Sequence, residues 1–92
     1  PGHTGRREAI FMTPGILELD LHGKNTYQAK VALEAALRRA GAGTYRIRII
    51  HGYHGGTVLR DMVRREYGAH PRVKRVEGGF DPGITDLVLR EF

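Results

Sequence analysis

The clearest pattern in the chain is a strict alternation of apolar and polar residues over 16–22. Leucine occupies every second position from residue 17, and the intervening positions hold Glu18, Asp20 and His22. Alternation with a period of two is typical of a strand with one buried face. Asp20 and His22 are therefore expected on one face of this strand, at its C-terminal end, where Gly23 allows the chain to turn.

Two segments repeat apolar residues at the spacing of a helix. In residues 25–40, alanines and leucines recur at i, i+3, i+4 and i+7, which predicts an amphipathic helix. Asn25 and Gln28 can form its capping box. Residues 57–67 carry a second apolar stripe, and Thr57 is the expected N-cap of that helix.

Three further strands complete the predicted fold. Residues 45–50 alternate and are rich in isoleucine, and shorter apolar patterns lie at 72–77 and 86–92. Because a short strand-helix-strand unit is almost always a right-handed crossover, the first two strands should be parallel. The predicted class is α/β, an α+β two-layer sandwich with the order β-α-β-α-β-β. Both helices would cover one face of a four-stranded mixed sheet.

Composition and charge narrow the possible partners. Ninety-two residues fit one domain, which we place at 16–92 after a flexible N-terminal tail at 1–15 that lacks sustained periodicity. The absence of cysteine excludes disulfides and fits a reducing compartment, so a cytoplasmic monomer is expected. No apolar run approaches the ~20 residues that span a bilayer. The net charge of +5 favours a polyanionic partner, RNA or DNA, and a ribosome is a further candidate.

The histidines suggest where chemistry takes place. The C-terminal ends of two parallel strands meet at one edge of a sheet, and ligands bind at this edge in open α/β sheets. Here that edge carries Asp20, His22, His51 and His54. Histidine exchanges protons near neutral pH. Of two imidazoles beside a phosphate, one can take a proton from an attacking hydroxyl and the other can give a proton to the leaving oxygen. Asp20, His22 and His51 are the catalytic candidates; the alternative is that such histidines only cap a helix or bond a carbonyl.

A second group of residues is predicted to hold the phosphate backbone. The glycine-rich turn before the second helix leaves free N–H groups at the positive end of the helix dipole, which favours anions. The candidate nucleic-acid contacts are Lys24, Arg46, Arg48, Gly52, Tyr53, His54, Gly55, Gly56, Thr57 and Arg60. No cofactor or tightly held metal is expected, because Mg²⁺ prefers clusters of carboxylates, although a divalent cation is possible.

These motifs resemble the small MutS-related (Smr) domain family. The resemblance covers nearly all of 16–92, and the specific part is a pair of motifs, Leu19-Asp20-Leu21-His22-Gly23 and Ile49-Ile50-His51-Gly52 followed by a glycine-rich turn into Leu59-Arg60. It implies the β-α-β-α-β-β fold, similar to the C-terminal domain of bacterial translation initiation factor 3. It also implies DNA or RNA binding and, in several members, nicking or RNA endonuclease activity.

The resemblance also implies roles for individual residues. Asp20 and His22 match the pair tied to nuclease activity, and His51 and Gly52 match the turn tied to nucleic-acid binding or cleavage. The family's turn reads His-Gly-x-Gly-x-Gly-x-Leu-Arg, whereas this one is a residue longer and has His54 at the place of the second glycine. That imidazole can narrow access to the backbone or add an acid/base group.

The function predicted from the sequence is therefore nucleic-acid binding with endonuclease activity, and RNA is favoured over DNA. Two alternatives remain open. One is a non-catalytic nucleic-acid or ribosome-binding module that uses the same edge. The other is a hydrolase of a small phosphorylated molecule, which would need a deep closed pocket rather than an open groove.

Overall fold

The computed structural model describes residues 10–52, 57–79 and 81–91. Two helical segments lie along one five-stranded sheet. The strands follow the spatial order β1-β2-β3-β5-β4. In chain order the elements are β1 (Ile10–Thr13), β2 (Ile16–Asp20), α1 (Thr26–Arg39), β3 (Arg46–Ile50), α2 (Val58–Met62, continued as a π-helical turn over Val63–Tyr67), β4 (Arg75–Gly78) and β5 (Ile84–Val88).

The parallel strand pair that the sequence predicts is present. β2 and β3 run side by side, with Asp20 level with Ile50 at their C-terminal ends. The pairing extends one step further, because the Leu21 N–H donates to the Ile50 carbonyl at 2.7 Å. All other strand pairs are antiparallel. The chain after β2 and the chain after β3 therefore leave the sheet at the same edge.

One correction concerns the predicted tail. Ile10–Thr13 forms β1, an antiparallel partner of β2, so the sheet has five strands where four were expected. The turn between them contains Gly15, whose φ of +85° suits glycine and whose missing side chain leaves room for the Tyr45 ring. The Pro14-Gly15 pair is a strong turn signal, and it separates two short segments that can then pair.

Helix α1 closes the core over the sheet. The predicted capping box is present: the Asn25 side chain accepts from the Gln28 N–H at 2.8 Å, and the Gln28 side chain accepts from the Asn25 N–H at 3.0 Å. Small alanines on the buried face let α1 approach the strands closely. At the other end the Arg72 guanidinium donates to the Leu37 and Ala40 carbonyls, where a cation suits the helix dipole. The buried face of α1 consists of Ala29, Ala32, Leu33, Ala36 and Leu37.

The last two strands are displaced from their predicted bounds. They lie at 75–78 and 84–88 rather than at 72–77 and 86–92. β5 begins earlier because it lies inside the sheet, where Ile84 pairs with Ile50 and Thr85 pairs with Ile49. Both Thr85 and Asp86 are buried there. In the described part of the chain, no helix is long and apolar enough to cross a membrane.

Candidate active site

An aspartate–histidine pair lies at the carboxyl edge of β2. The Nδ1 atom of His22 is 2.5 Å from Oδ1 of Asp20, and the His22 backbone N–H donates to the same oxygen at 3.1 Å. An ionised carboxylate only accepts, so the proton of this hydrogen bond lies on Nδ1. The His22 side chain is 70% exposed and that of Asp20 is 28% exposed. Among the described residues no hydrogen-bond partner is found for Nε2, so Asp20 orients an imidazole whose second nitrogen can meet a ligand.

The turn after β3 meets this pair through Gly52. A methyl group placed on Gly52 would lie 3.6 Å from Cβ of His22, so the two turns are in contact. Gly52 has a φ of +72°, which favours glycine, and its N–H donates to the Gly83 carbonyl at 3.0 Å. The expectation that the parallel strands bring both turns together is correct at this point.

His51 lies on the other side of the turn and is buried, with 4% of its surface exposed. Nδ1 is 2.7 Å from the Gly52 carbonyl oxygen, and Nε2 is 2.8 Å from Oγ1 of Thr85. A carbonyl only accepts, so Nδ1 carries the proton, and the Thr85 hydroxyl donates to Nε2. Both ring nitrogens of His51 are therefore engaged by protein atoms, and its catalytic role stays a prediction.

Burial disfavours the charged form of His51. Loss of solvent lowers the pKa of the imidazole below its ordinary value, the Gly52 carbonyl opposes this shift, and the positive charges of Arg64 and Arg60 lower the pKa further. Asp81 acts weakly in the opposite direction. The hydrogen bonds fit a neutral ring, because an imidazole protonated on Nδ1 can accept the Thr85 proton at Nε2.

Arg64 is a residue near the site that the sequence prediction did not include. Its Nε–H donates to Oγ1 of Thr85 at 3.2 Å, and its guanidinium packs against Gly78, where an added Cβ would come within 2.8 Å of Nη2. The available signal was spacing: Arg60 and Arg64 are four residues apart on one helix and therefore share a face. Arg60 itself donates to Asp61 at 3.3 Å.

Arg46 and Arg48, which were predicted to contact phosphates, lie on the sheet face opposite the helices. Arg46 donates to Asp86 at 2.6 Å and to Glu77 at 2.8 Å, and Arg48 donates twice to Asp86 at 3.2 Å. The hydrogen bond with Asp86 is the main reason that the pKa of each guanidinium is raised. In the strand register Arg48 lies opposite Glu18, which is two residues before Asp20. Both arginines therefore lie on the same sheet face as Asp20, but each already forms hydrogen bonds with a carboxylate.

The remaining predicted contacts are Thr57, Lys24 and four residues of the glycine-rich turn. Thr57 was expected to cap this helix, but its side chain makes no cap hydrogen bond and instead donates to Asp61 at 2.9 Å. Lys24 follows the His22 turn, and its backbone N–H donates to Leu21 at 3.1 Å. The predicted contacts Tyr53, His54, Gly55 and Gly56 lie outside the described residues. Within the described ranges, no three histidine or acidic side chains gather as metal ligands.

Comparison with known proteins decides the family. A family model for the Smr domain matches residues 19–80, which include the C-terminal end of β2, both turns and α2. The chain belongs to the Smr domain family. The Smr domain of Thermus thermophilus MutS2, known from its crystal structure, is 30% identical and superposes with a TM-score of 0.70. The match covers 80% of this chain and 98% of that one. No curated protein matches the chain.

The match confirms the family and the small α/β fold that the sequence predicted. The family is associated with nucleic-acid binding and nuclease-like function, and the matched segment contains the Asp20–His22 pair together with His51 and Gly52. The likeness to the C-terminal domain of translation initiation factor 3 stays a prediction.

Proposed function

We propose that this Smr domain binds nucleic acid and cleaves its phosphodiester backbone, with RNA favoured over DNA. The observation that carries the proposal is the Asp20–His22 pair, in which a carboxylate 2.5 Å from Nδ1 orients an exposed imidazole at the carboxyl edge of the sheet. An oriented histidine with a free ring nitrogen is suited to general acid–base catalysis near neutral pH.

In this proposal His22 is the catalytic base and Asp20 holds its tautomer. With the proton on Nδ1, the lone pair of Nε2 is available to take a proton from an attacking hydroxyl. In RNA the neighbouring 2′-OH supplies that hydroxyl, so its oxygen forms a bond to phosphorus while the bond to the 5′ oxygen breaks. The leaving oxygen takes a proton from water or from the protonated His22. DNA lacks the 2′-OH, which is the reason that RNA is favoured.

In this proposal His51 holds the turn beside His22 in place and does not itself react with the substrate. Its Nδ1–H holds the Gly52 carbonyl, and Gly52 lies against His22. On the same side of the turn, Arg60 and Arg64 supply the positive charge that affects His51. Arg60 is partly exposed and its partner Asp61 is largely exposed, so their ion pair can open at little cost in favour of a phosphate.

The test is cleavage of end-labelled RNA, and of DNA with the same sequence, by the wild type, Asp20→Asn and His22→Gln. Each reaction is run with EDTA and with Mg²⁺ or Mn²⁺, which also tests for a divalent cation. His70→Gln is the matched control, because His70 lies in the loop after α2, where its ring accepts from the Arg72 N–H and stacks on Tyr67.

We expect the wild type and His70→Gln to cut RNA, and Asp20→Asn and His22→Gln to lose about 10²–10⁴-fold in rate, the usual contribution of a positioned acid or base. Binding without cleavage by all four proteins would instead identify a non-catalytic module. An affinity that does not fall with salt would contradict nucleic-acid binding altogether, since phosphate contacts release counterions.

A further inference from the structure

A chain of hydrogen bonds runs from α2 through β5 to the site turn. Thr85 is its central member and is completely buried. Its Oγ1 lies 3.2 Å from Nε of Arg64 and 2.8 Å from Nε2 of His51. His51 in turn lies 2.7 Å from the Gly52 carbonyl oxygen. Three elements that are distant in sequence are therefore joined at the back of the site.

For a neutral His51, the chemistry of the groups allows one direction for every proton in this chain. Arg64 has donors only, and the Gly52 carbonyl has acceptors only. Since Arg64 donates to Thr85, and Nδ1 of His51 donates to Gly52, the Thr85 hydroxyl must donate to Nε2 of a neutral His51. A hydrogen-bond chain with donors at one end and an acceptor at the other specifies the tautomer in its middle.

The far end of the chain contacts the aspartate–histidine pair. Gly52 is held on both sides, by His51 at its carbonyl and by Gly83 at its N–H. It has a positive φ and lies against Cβ of His22. Any shift of the His51 ring therefore moves the backbone against which His22 rests.

We infer that Thr85 and Arg64 are positioning residues of this site: they hold His51 in its Nδ1–H tautomer and, through Gly52, set the place of His22. The inference rests on the proposed function only for its effect on cleavage. The tautomer and the order of the hydrogen bonds are properties of the protein without substrate, and they can be measured without any activity.

The first measurement is ¹⁵N NMR of the histidine rings in the wild type. We expect His51 to show a protonated Nδ1 and an unprotonated Nε2, with a Thr85 hydroxyl proton that exchanges slowly and couples to Nε2. A His51 ring protonated on Nε2, or one that is not hydrogen-bonded to Thr85, overturns the inference. This measurement does not depend on any variant being folded.

The second measurement uses Thr85→Val, which keeps the shape but removes the hydroxyl, and Thr85→Ser, which restores it. Thr44→Val is the matched control. Thr44 is also buried, but it lies before the N-terminal end of β3, whereas His51 follows the C-terminal end. We expect Thr85→Val to shift the Nε2 signal of His51 and the ring signals of His22, and Thr85→Ser and Thr44→Val to leave them near wild type.

The cleavage assay then separates the two proposals. If RNA is cut, Thr85→Val should lower kcat by up to about 10²-fold, the loss expected when a reacting group is misplaced. Thr85→Ser should recover it. Suppose instead that neither the wild type nor any variant cuts RNA, while the NMR signals of His51 and His22 still respond to Thr85→Val. In that case the proposed function fails and the positioning role stands. Signals of His22 that ignore Thr85→Val overturn the positioning role, whatever the activity.

Discussion

The burial of His51 makes the stability of this domain depend on pH in a defined direction. In the folded chain, burial together with the nearby charges of Arg60 and Arg64 lowers the pKa of His51, and Asp81 only partly offsets them. The unfolded chain binds a proton near the ordinary histidine pKa of about 6.5. Below that pH the unfolded state takes up a proton that the folded state does not, so acid favours unfolding. The contribution is fully present above about pH 6.5 and is lost as the pH falls toward the lowered folded pKa.

The size of the effect follows from one proton. Each pH unit in that window changes the free energy of unfolding by at most about 1.4 kcal/mol. Between pH 7 and pH 5.5 the integrated loss from His51 is at most about 1.2 kcal/mol. For a domain of 60–100 residues, one kcal/mol corresponds to about 4–8 °C in Tm. We therefore expect His51 to lower Tm by up to about 5–10 °C over this range.

The assay is thermal or urea unfolding of the wild type and His51→Asn at pH 7, 6 and 5.5, in buffers of constant ionic strength. His51→Asn will be less stable at pH 7, because the Thr85 hydroxyl loses its acceptor, but its stability should fall less steeply with acid. His70→Asn serves as the control for removing a histidine elsewhere. Equal pH slopes for the wild type and His51→Asn would refute the reasoning, as would a wild type that gains stability in acid.

Three other changes have defined outcomes. Arg60→Ala should weaken RNA binding and reduce the slope of log affinity against log salt by about one, because one phosphate contact is lost. Arg39→Ala, at the far end of α1, should change neither the affinity nor the slope. Filter binding at several salt concentrations tests both variants. Arg46→Ala should chiefly lower stability, by about 1–3 kcal/mol in urea unfolding, because it removes a hydrogen-bond donor from buried Asp86; a large loss of RNA affinity at unchanged stability would contradict this. Gly15→Ala should cost about 1–3 kcal/mol, since alanine is strained at a φ of +85°; unchanged unfolding would show that the β1–β2 turn has another conformation.

Local patterns were sufficient to predict the elements on which the site depends. Alternation placed Asp20 and His22 on one strand face, and helix periodicity predicted α1 together with its Asn25 cap. The crossover rule then predicted that β2 and β3 are parallel, and therefore that the turn containing Gly52 lies beside His22. These features depend on residues that are close to one another in the sequence, so a single sequence is enough to predict them.

Other features depend on which residues become neighbours only after folding. Ile10–Thr13 is too short to display a period, and it is a strand because β2 presents a free edge for it. Arg46 and Arg48 are predicted phosphate contacts, and β5 places Asp86 beside both, so that its one carboxylate is shared by the two guanidinium groups. No pattern in the sequence indicates that pairing, because the partners lie 40 and 38 residues apart.

The two histidines of the motifs show the same division most clearly. The sequence by itself determined where His22 lies and which carboxylate orients it, because Asp20 is two residues away on the same strand face. It also placed His51 at the same edge of the sheet, but it did not determine on which side of the turn the His51 ring would lie. The packing of β5 and α2 decided that: the ring is buried, Thr85 occupies Nε2 and is itself held by Arg64, and Nδ1 holds Gly52. A hydrogen-bonded, desolvated imidazole and an exposed one differ in chemistry although their sequence motifs look alike, because tertiary neighbours determine solvation and proton position.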